Sequence, residues 1–189
     1  MNYTLEELKN LGFVDVGTDV AIHRSAVFFN CKNIHIGSRV RIDCFSMISA
    51  GKEGVYIGNN IHIAAAVLIF GGGGRVTLED FTCLSGRVSL YTASDDYSGE
   101  AMTNPTVPEI FRKVDVGPVS LRKHALVGAG SIIMPGVTIG TGAAVGAMSF
   151  ANRDVPDHEI YAGIPARRIR IRQKKLLDLE KEYLQKAIT

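Results

Sequence analysis

Tryptophan is absent from this chain and aromatic residues make up only 7% of it, so large rings do not build its core. Charge of one sign is missing too. Lys and Arg number 21 against 19 Asp and Glu, a net of +2, which argues against wholesale nucleic-acid binding. No apolar run is long enough to span a bilayer. The opening residues, MNYTLEELKN, carry acidic side chains and no apolar signal-peptide core, so an unprocessed cytoplasmic protein without membrane insertion is expected. Cys31, Cys44 and Cys83 are odd in number, far apart and without a CxxC pair; they read as reduced structural thiols rather than a metal or redox set. Over most of the chain the apolar positions also lack the period of a helix or of a simple strand.

What is present is 20 glycines and a count of six. Val127-Gly-Ala-Gly-Ser131, Ile133-Met-Pro-Gly-Val137, Ile139-Gly-Thr-Gly-Ala143 and Val145-Gly-Ala-Met-Ser149 are consecutive units, each an aliphatic residue followed four positions later by a small or β-branched one. Such a unit fits a short strand plus a turn, three units closing a triangular coil. Successive coils then stack at about 4.8 Å through parallel backbone hydrogen bonds.

Sorting the aliphatic residues by wall gives three columns. Val16, Ile36, Ile57, Leu78, Leu121 and Ile139 form the first; Ile22, Ile42, Ile63, Leu84, Val127 and Val145 the second; Phe28, Ile48, Ile69, Leu90 and Ile133 the third. Every extra residue falls after the third column, around Phe29–Asn33, Ala50–Gly54 and Phe70–Val76 and in a long break after Leu90. All insertions should therefore leave by one corner. The expected fold is all-β, a parallel β-solenoid over residues 14–165 with residues 91–118 extruded.

The ends differ. Residues 1–13 read as a helical cap, with Thr4 as N-cap, Glu7 three residues later and Gly12 as the stop. Residues 166–189 read as a basic segment, ARRIRIRQKK, and a helix with Leu176, Leu179, Tyr183 and Lys186 on one face. That helix is expected to lie over the end of the solenoid and cover its open strand edge.

The chain resembles the hexapeptide-repeat acyltransferases, in particular the galactoside and maltose acetyltransferase branch. The resemblance is carried by VGAGSIIMPGVTIGTGAAVGAMSFANRDVPDHEIYAGIPARRIR, including Asp154, Pro156, Ala162, Gly163, Pro165 and Arg167 of its closing pattern. It implies a left-handed parallel β-helix, a homotrimer with clefts between subunits, and acetyl-CoA as donor with no metal. The family's donor positions fall on Ala129 and Ala147, with Asn152 and Arg153 at the cleft and Arg167 and Arg170 near its end, where arginine suits phosphate. Backbone amides such as those of Gly128 or Ala129 are candidates for stabilising the thioester oxygen.

One departure matters. Sugar acetyltransferases of this family carry a catalytic histidine in the long loop, at a position that falls near Ser94 or Asp95 here, and YTASDDYSGE has no histidine. An alcohol needs a positioned base as it attacks; an amine with an accessible neutral form only has to lose a proton afterwards. The expected reaction is therefore N-acetylation of an aminodeoxy sugar, and the resemblance implies a nucleotide sugar in surface-polysaccharide (O-antigen) synthesis. Asp95 and Asp96 are candidates to orient the acceptor or take its proton. His62, outward-facing and at the family's acceptor-pocket position, is the candidate base for the alternative, O-acetylation of a saccharide. A non-catalytic trimeric scaffold is the third reading. The remaining histidines, His23, His35, His124 and His158, build no evident metal triad.

Overall fold

The structure, a computed structural model, describes residues 1–186. The expected C-terminal helix runs on to Ala187 and Ile188 in the sequence, and these two lie outside the described residues. Three sheets of six, eight and six strands, parallel except for the last strand of the eight, form the walls of a prism of about seven coils. Their registers reproduce the columns: Ile36, Ile57, Leu78, Leu121 and Ile139 align on the first wall, Ile42, Ile63, Leu84, Val127 and Val145 on the second, and Ile48, Ile69, Leu90 and Ile133 on the third. Nearly all are fully buried, and the small members of the repeat, Ala26, Ser46, Ser131 and Ser149, fill a narrow corner beside them. The prism runs one coil further than the repeat: Ala151 joins the third column, Val155 bridges Ile139, and Tyr161 aligns with Val145.

The corner between the first and second walls turns through a left-handed residue in coil after coil: Asp19, Arg39, Asn60, Phe81, His124, Gly142 and His158 all have positive φ. Most are not glycine, so the stacked strands hold a conformation that L-residues otherwise avoid. The opposite corner releases every insertion. The long one is not a slack loop. Ala93–Asp95 pairs antiparallel with Val114–Val116. At its root the buried Thr92 donates its hydroxyl to Phe70 O at 2.8 Å and accepts the Gly73 amide at 2.9 Å.

At the N-terminal end, helix α1 (Leu5–Asn10) has the expected capping box of Thr4 and Glu7, and buries Leu8. The C-terminal helix α2 (Lys175–Lys186) does not cover the last coil. Glu180 reaches His124 at 2.8 Å and Tyr183 reaches Asn60 at 3.0 Å, so α2 runs along the flank of the prism. The open edge is occupied instead by Arg167–Ile171, which folds back antiparallel to Glu159–Ala162. A strand can satisfy the edge amides and carbonyls directly, which a helix lying over them cannot.

Candidate active site

Alternation along each wall decides what faces outward. On the second wall one outward row runs Ala21, Arg41, His62, Cys83, Leu126, Ala144 and Ile160. The row beside it, one residue past each inward position, runs Asp43, Ala64, Ser85, Gly128 and Gly146. Its amides donate to the next coil over 2.8–2.9 Å. Gly128 is glycine because a Cβ there would lie 2.4 Å from the Ala147 amide nitrogen.

The expected donor residues gather around this wall and its end. Ala129 and Ala147 occupy adjacent coils at the corner between the second and third walls, where the Met148 amide donates to Ala129 O at 2.8 Å. The amides of Ala129 and Ala147 have no acceptor among the described residues. The Gly128 amide, also a candidate for the thioester oxygen, is already committed to Val145 O at 2.8 Å, so of that pair only Ala129 keeps a donor available. Asn152 and Arg153 are exposed just beyond Ala151. Arg167 and Arg170 lie in the exposed terminal strand, where Arg170 faces Ile160 in register. The other arginines of the basic run have structural tasks: Arg168 pairs with Glu159 at 2.7 Å, and Arg172 donates to the carbonyls of His124 and Gly142 at 3.1 Å.

The two neighbouring aspartates of the arm have opposite fates. Asp96 is buried and accepts the Ser98 hydroxyl at 2.8 Å and the Gly99 amide at 3.1 Å. The Ser98 hydroxyl holds its carboxyl below the usual carboxylate range, outweighing partial burial, so this group ties the arm together and is poorly suited to accept a proton. The Asp95 carboxylate has no partner among the described residues. It opens with Ser94 onto a cavity lined by Tyr91, Ala93, Tyr97, Ile132, Met134 and Phe150, with a volume of about 640 Å³.

His62 is on the second wall, remote from the arm of its own chain, so one subunit does not bring it together with Asp95 and Asp96. Its Nε2 lies 2.8 Å from Asp43 Oδ2, while Arg41 Nε donates to Asp43 Oδ1 at 2.7 Å. Partial burial pushes the Asp43 carboxyl up, but the hydrogen bonds and charges of His62 and Arg41 together reverse this and hold it below its ordinary range. The sequence reading missed Arg41 and Asp43. The signal was available: they are the outward positions flanking Ile42, one coil before His62.

No family model matches the chain. Among curated proteins it is 43% identical to the dTDP-4-amino-4,6-dideoxy-D-glucose acyltransferase of Escherichia coli, over 96% of this chain and 94% of that one. The chain belongs to the hexapeptide-repeat acyltransferases, in the branch of that enzyme. Galactoside O-acetyltransferase of E. coli K12 is more distant, at 27% identity over 90% of this chain and 68% of its own. Among solved structures, AntD, an N-acyltransferase from Bacillus cereus, superposes with a TM-score of 0.95 at 43% identity, covering 98% of this chain and 97% of that one, and was crystallised as a variant with dTDP-4-amino-4,6-dideoxyglucose and coenzyme A. Another AntD structure holds dTDP and 3-hydroxybutyryl-CoA, with a TM-score of 0.96. The acyltransferase expected from the hexapeptides is thus established as the family. Among the described residues no helix is long and apolar enough to cross a membrane, and no cluster of three or more His, Cys, Asp or Glu is placed to hold a metal.

Proposed function

We propose that this enzyme transfers an acyl group from a coenzyme A thioester to the amino group of a dTDP-linked 4-amino-4,6-dideoxy sugar. The observation that carries this reading is the near-full-length likeness to AntD, held with that amino sugar and coenzyme A. The arm without histidine supports it from the side of chemistry. The amine lone pair attacks the thioester carbon, the carbon–sulfur bond breaks, and coenzyme A leaves as the thiolate. The surplus proton of the new amide nitrogen passes to Asp95 or to that thiolate. The Ala129 amide is the donor available to the developing oxyanion, and Ala147, Asn152, Arg153, Arg167 and Arg170 follow the donor outward toward its phosphates.

Variants of AntD have been crystallised with one serine or one aspartate replaced, residues ten apart in that chain. Ser85 is the only serine here with an aspartate ten residues on, Asp95. Ser85 is on the second wall beside Gly128, whereas Asp95 leaves from the corner facing away from that wall. The two meet one acceptor when two copies supply them, which is the arrangement of a homotrimer. The third wall fits that assembly. Its outward row, Val27, Met47, Leu68, Ser89, Ile132 and Phe150, is apolar but for one serine, and Val27 is 48% exposed in a single chain. A contiguous patch of this kind marks an interface. Both substrates are soluble and charged, in keeping with a cytoplasmic enzyme supplying surface-polysaccharide synthesis.

The test is a thiol-release assay with acetyl-CoA and a pair of acceptors, dTDP-4-amino-4,6-dideoxyglucose and its 4-hydroxyl counterpart. Transfer to the amine alone is expected. Transfer to the hydroxyl at a comparable rate would overturn the reading, and absence of coenzyme A binding would reduce the molecule to a scaffold.

A further inference from the structure

The lower half of the second wall carries a pair of polar side chains to which the acylation chemistry gives no task. Arg41 and His62 are register partners on adjacent coils, 68% and 43% exposed, and both are held by Asp43. Among the described residues the Asp43 carboxylate engages only Arg41 Nε and His62 Nε2. The two terminal nitrogens of the guanidinium and His62 Nδ1 have no partner among the described residues. Both Asp43 oxygens are occupied, so the carboxylate serves to fix two donors side by side rather than to leave a bare negative charge. A planar fork beside an imidazole, one coil apart, suits a ligand with several anionic oxygens.

Resting on the function proposed above, we infer that Arg41 and His62 bind the diphosphate of the nucleotide sugar, with Asp43 as the positioning residue. Direction along the wall decides this. The donor occupies the upper coils, from Gly128 and Ala129 toward Arg167, so an amine delivered at Ser85 and Gly128 leaves only the lower coils for the rest of the acceptor. In a 4-amino pyranose the amine and the diphosphate sit at opposite ends of the ring. Arg41 is two coils below Ser85, a separation of roughly 10 Å between backbones that the arginine side chain shortens. That distance matches a sugar ring with its first phosphate.

The experiment is steady-state kinetics with acetyl-CoA and dTDP-4-amino-4,6-dideoxyglucose, together with calorimetric binding of dTDP alone, on the unaltered enzyme and on Arg41→Ala, Arg41→Lys, His62→Gln and Asp43→Asn. Arg41→Ala should raise the KM for the nucleotide sugar and the Kd for dTDP by about 10- to 100-fold, with kcat and the KM for acetyl-CoA held. Arg41→Lys should recover only part of this, because an ammonium lacks the fork. His62→Gln should act in the same sense as Arg41→Ala, and Asp43→Asn should give a smaller rise in the same KM with kcat unchanged. Unchanged KM and Kd in Arg41→Ala and His62→Gln would overturn the inference while leaving the proposed function standing. A fall in kcat at constant KM would also overturn it, by placing the pair in the chemistry. An unaltered enzyme that neither binds dTDP nor acylates the amino sugar would instead overturn the function itself.

Discussion

The second and third walls share one backbone and differ over their lower coils in what they turn outward. Each has the same coil spacing and an inward aliphatic ladder, yet on the lower coils one displays Arg41, His62 and Cys83 where the other displays Met47, Leu68 and Ser89. The inward ladder supplies the fold and is indifferent to function. The outward positions are free of that duty, so one wall can read ligands while its neighbour meets other copies of the chain.

The largest effect should come from making the third wall resemble the second. Leu68→Asp or Ile132→Asp places a charge in the middle of the apolar row, where it must stay hydrated. Sedimentation equilibrium should then show a monomer, and transfer should fall by about a thousandfold or more, since the proposed meeting of Ser85 and Asp95 needs the assembly. A trimer that persists with full activity would show that the interface lies elsewhere. Next in size is Asp95→Asn, which keeps the shape of the arm and removes the proposed proton acceptor. A fall in kcat of about 100-fold is expected, measured with acetyl-CoA and the amino sugar, with the KM for acetyl-CoA little changed. The thiolate can take some of the proton, which keeps this effect below that of breaking the assembly.

The walls were legible because a period of six with small residues at the corners admits few other solutions, and because a one-residue slip would turn every inward side chain out. Two features were not. The seventh coil is hidden because its unit has Ala151 in place of a large aliphatic residue and only three residues before Val155. The strand Arg167–Ile171 reads as a charge run because its arginines stand exposed on a sheet edge. The site was half legible. Outward positions follow from alternation, which placed His62, but the partnership of His62 with Asp43 and Arg41 depends on coils some 20 residues apart being in register. Asp95 and Asp96 were indistinguishable in sequence, since only the turn at Ser98 and Gly99 decides which carboxylate is consumed.

The smallest expected effect separates those two aspartates by pH. Because the Asp96 carboxyl is held below its ordinary range, the folded arm binds its proton less readily than the unfolded arm does. The stabilisation is therefore fully present above the unfolded value of about 3.9, and is lost as the pH falls from there through the lower, folded value. Hydrogen exchange of the amides between Asp96 and Lys113 should accelerate over that acid window in the unaltered chain, relative to the amides of the walls. In Asp96→Asn the arm should already exchange faster at neutral pH, without the acid step, because the neutral amide holds the Ser98 hydroxyl and the Gly99 amide more weakly. Asp95→Asn, whose carboxylate makes no such bonds, should leave the exchange of the arm unaltered across the same range. An equal response from both variants would mean that the turn at Ser98 does not hold the arm, and the division of labour between the two carboxylates would have to be abandoned.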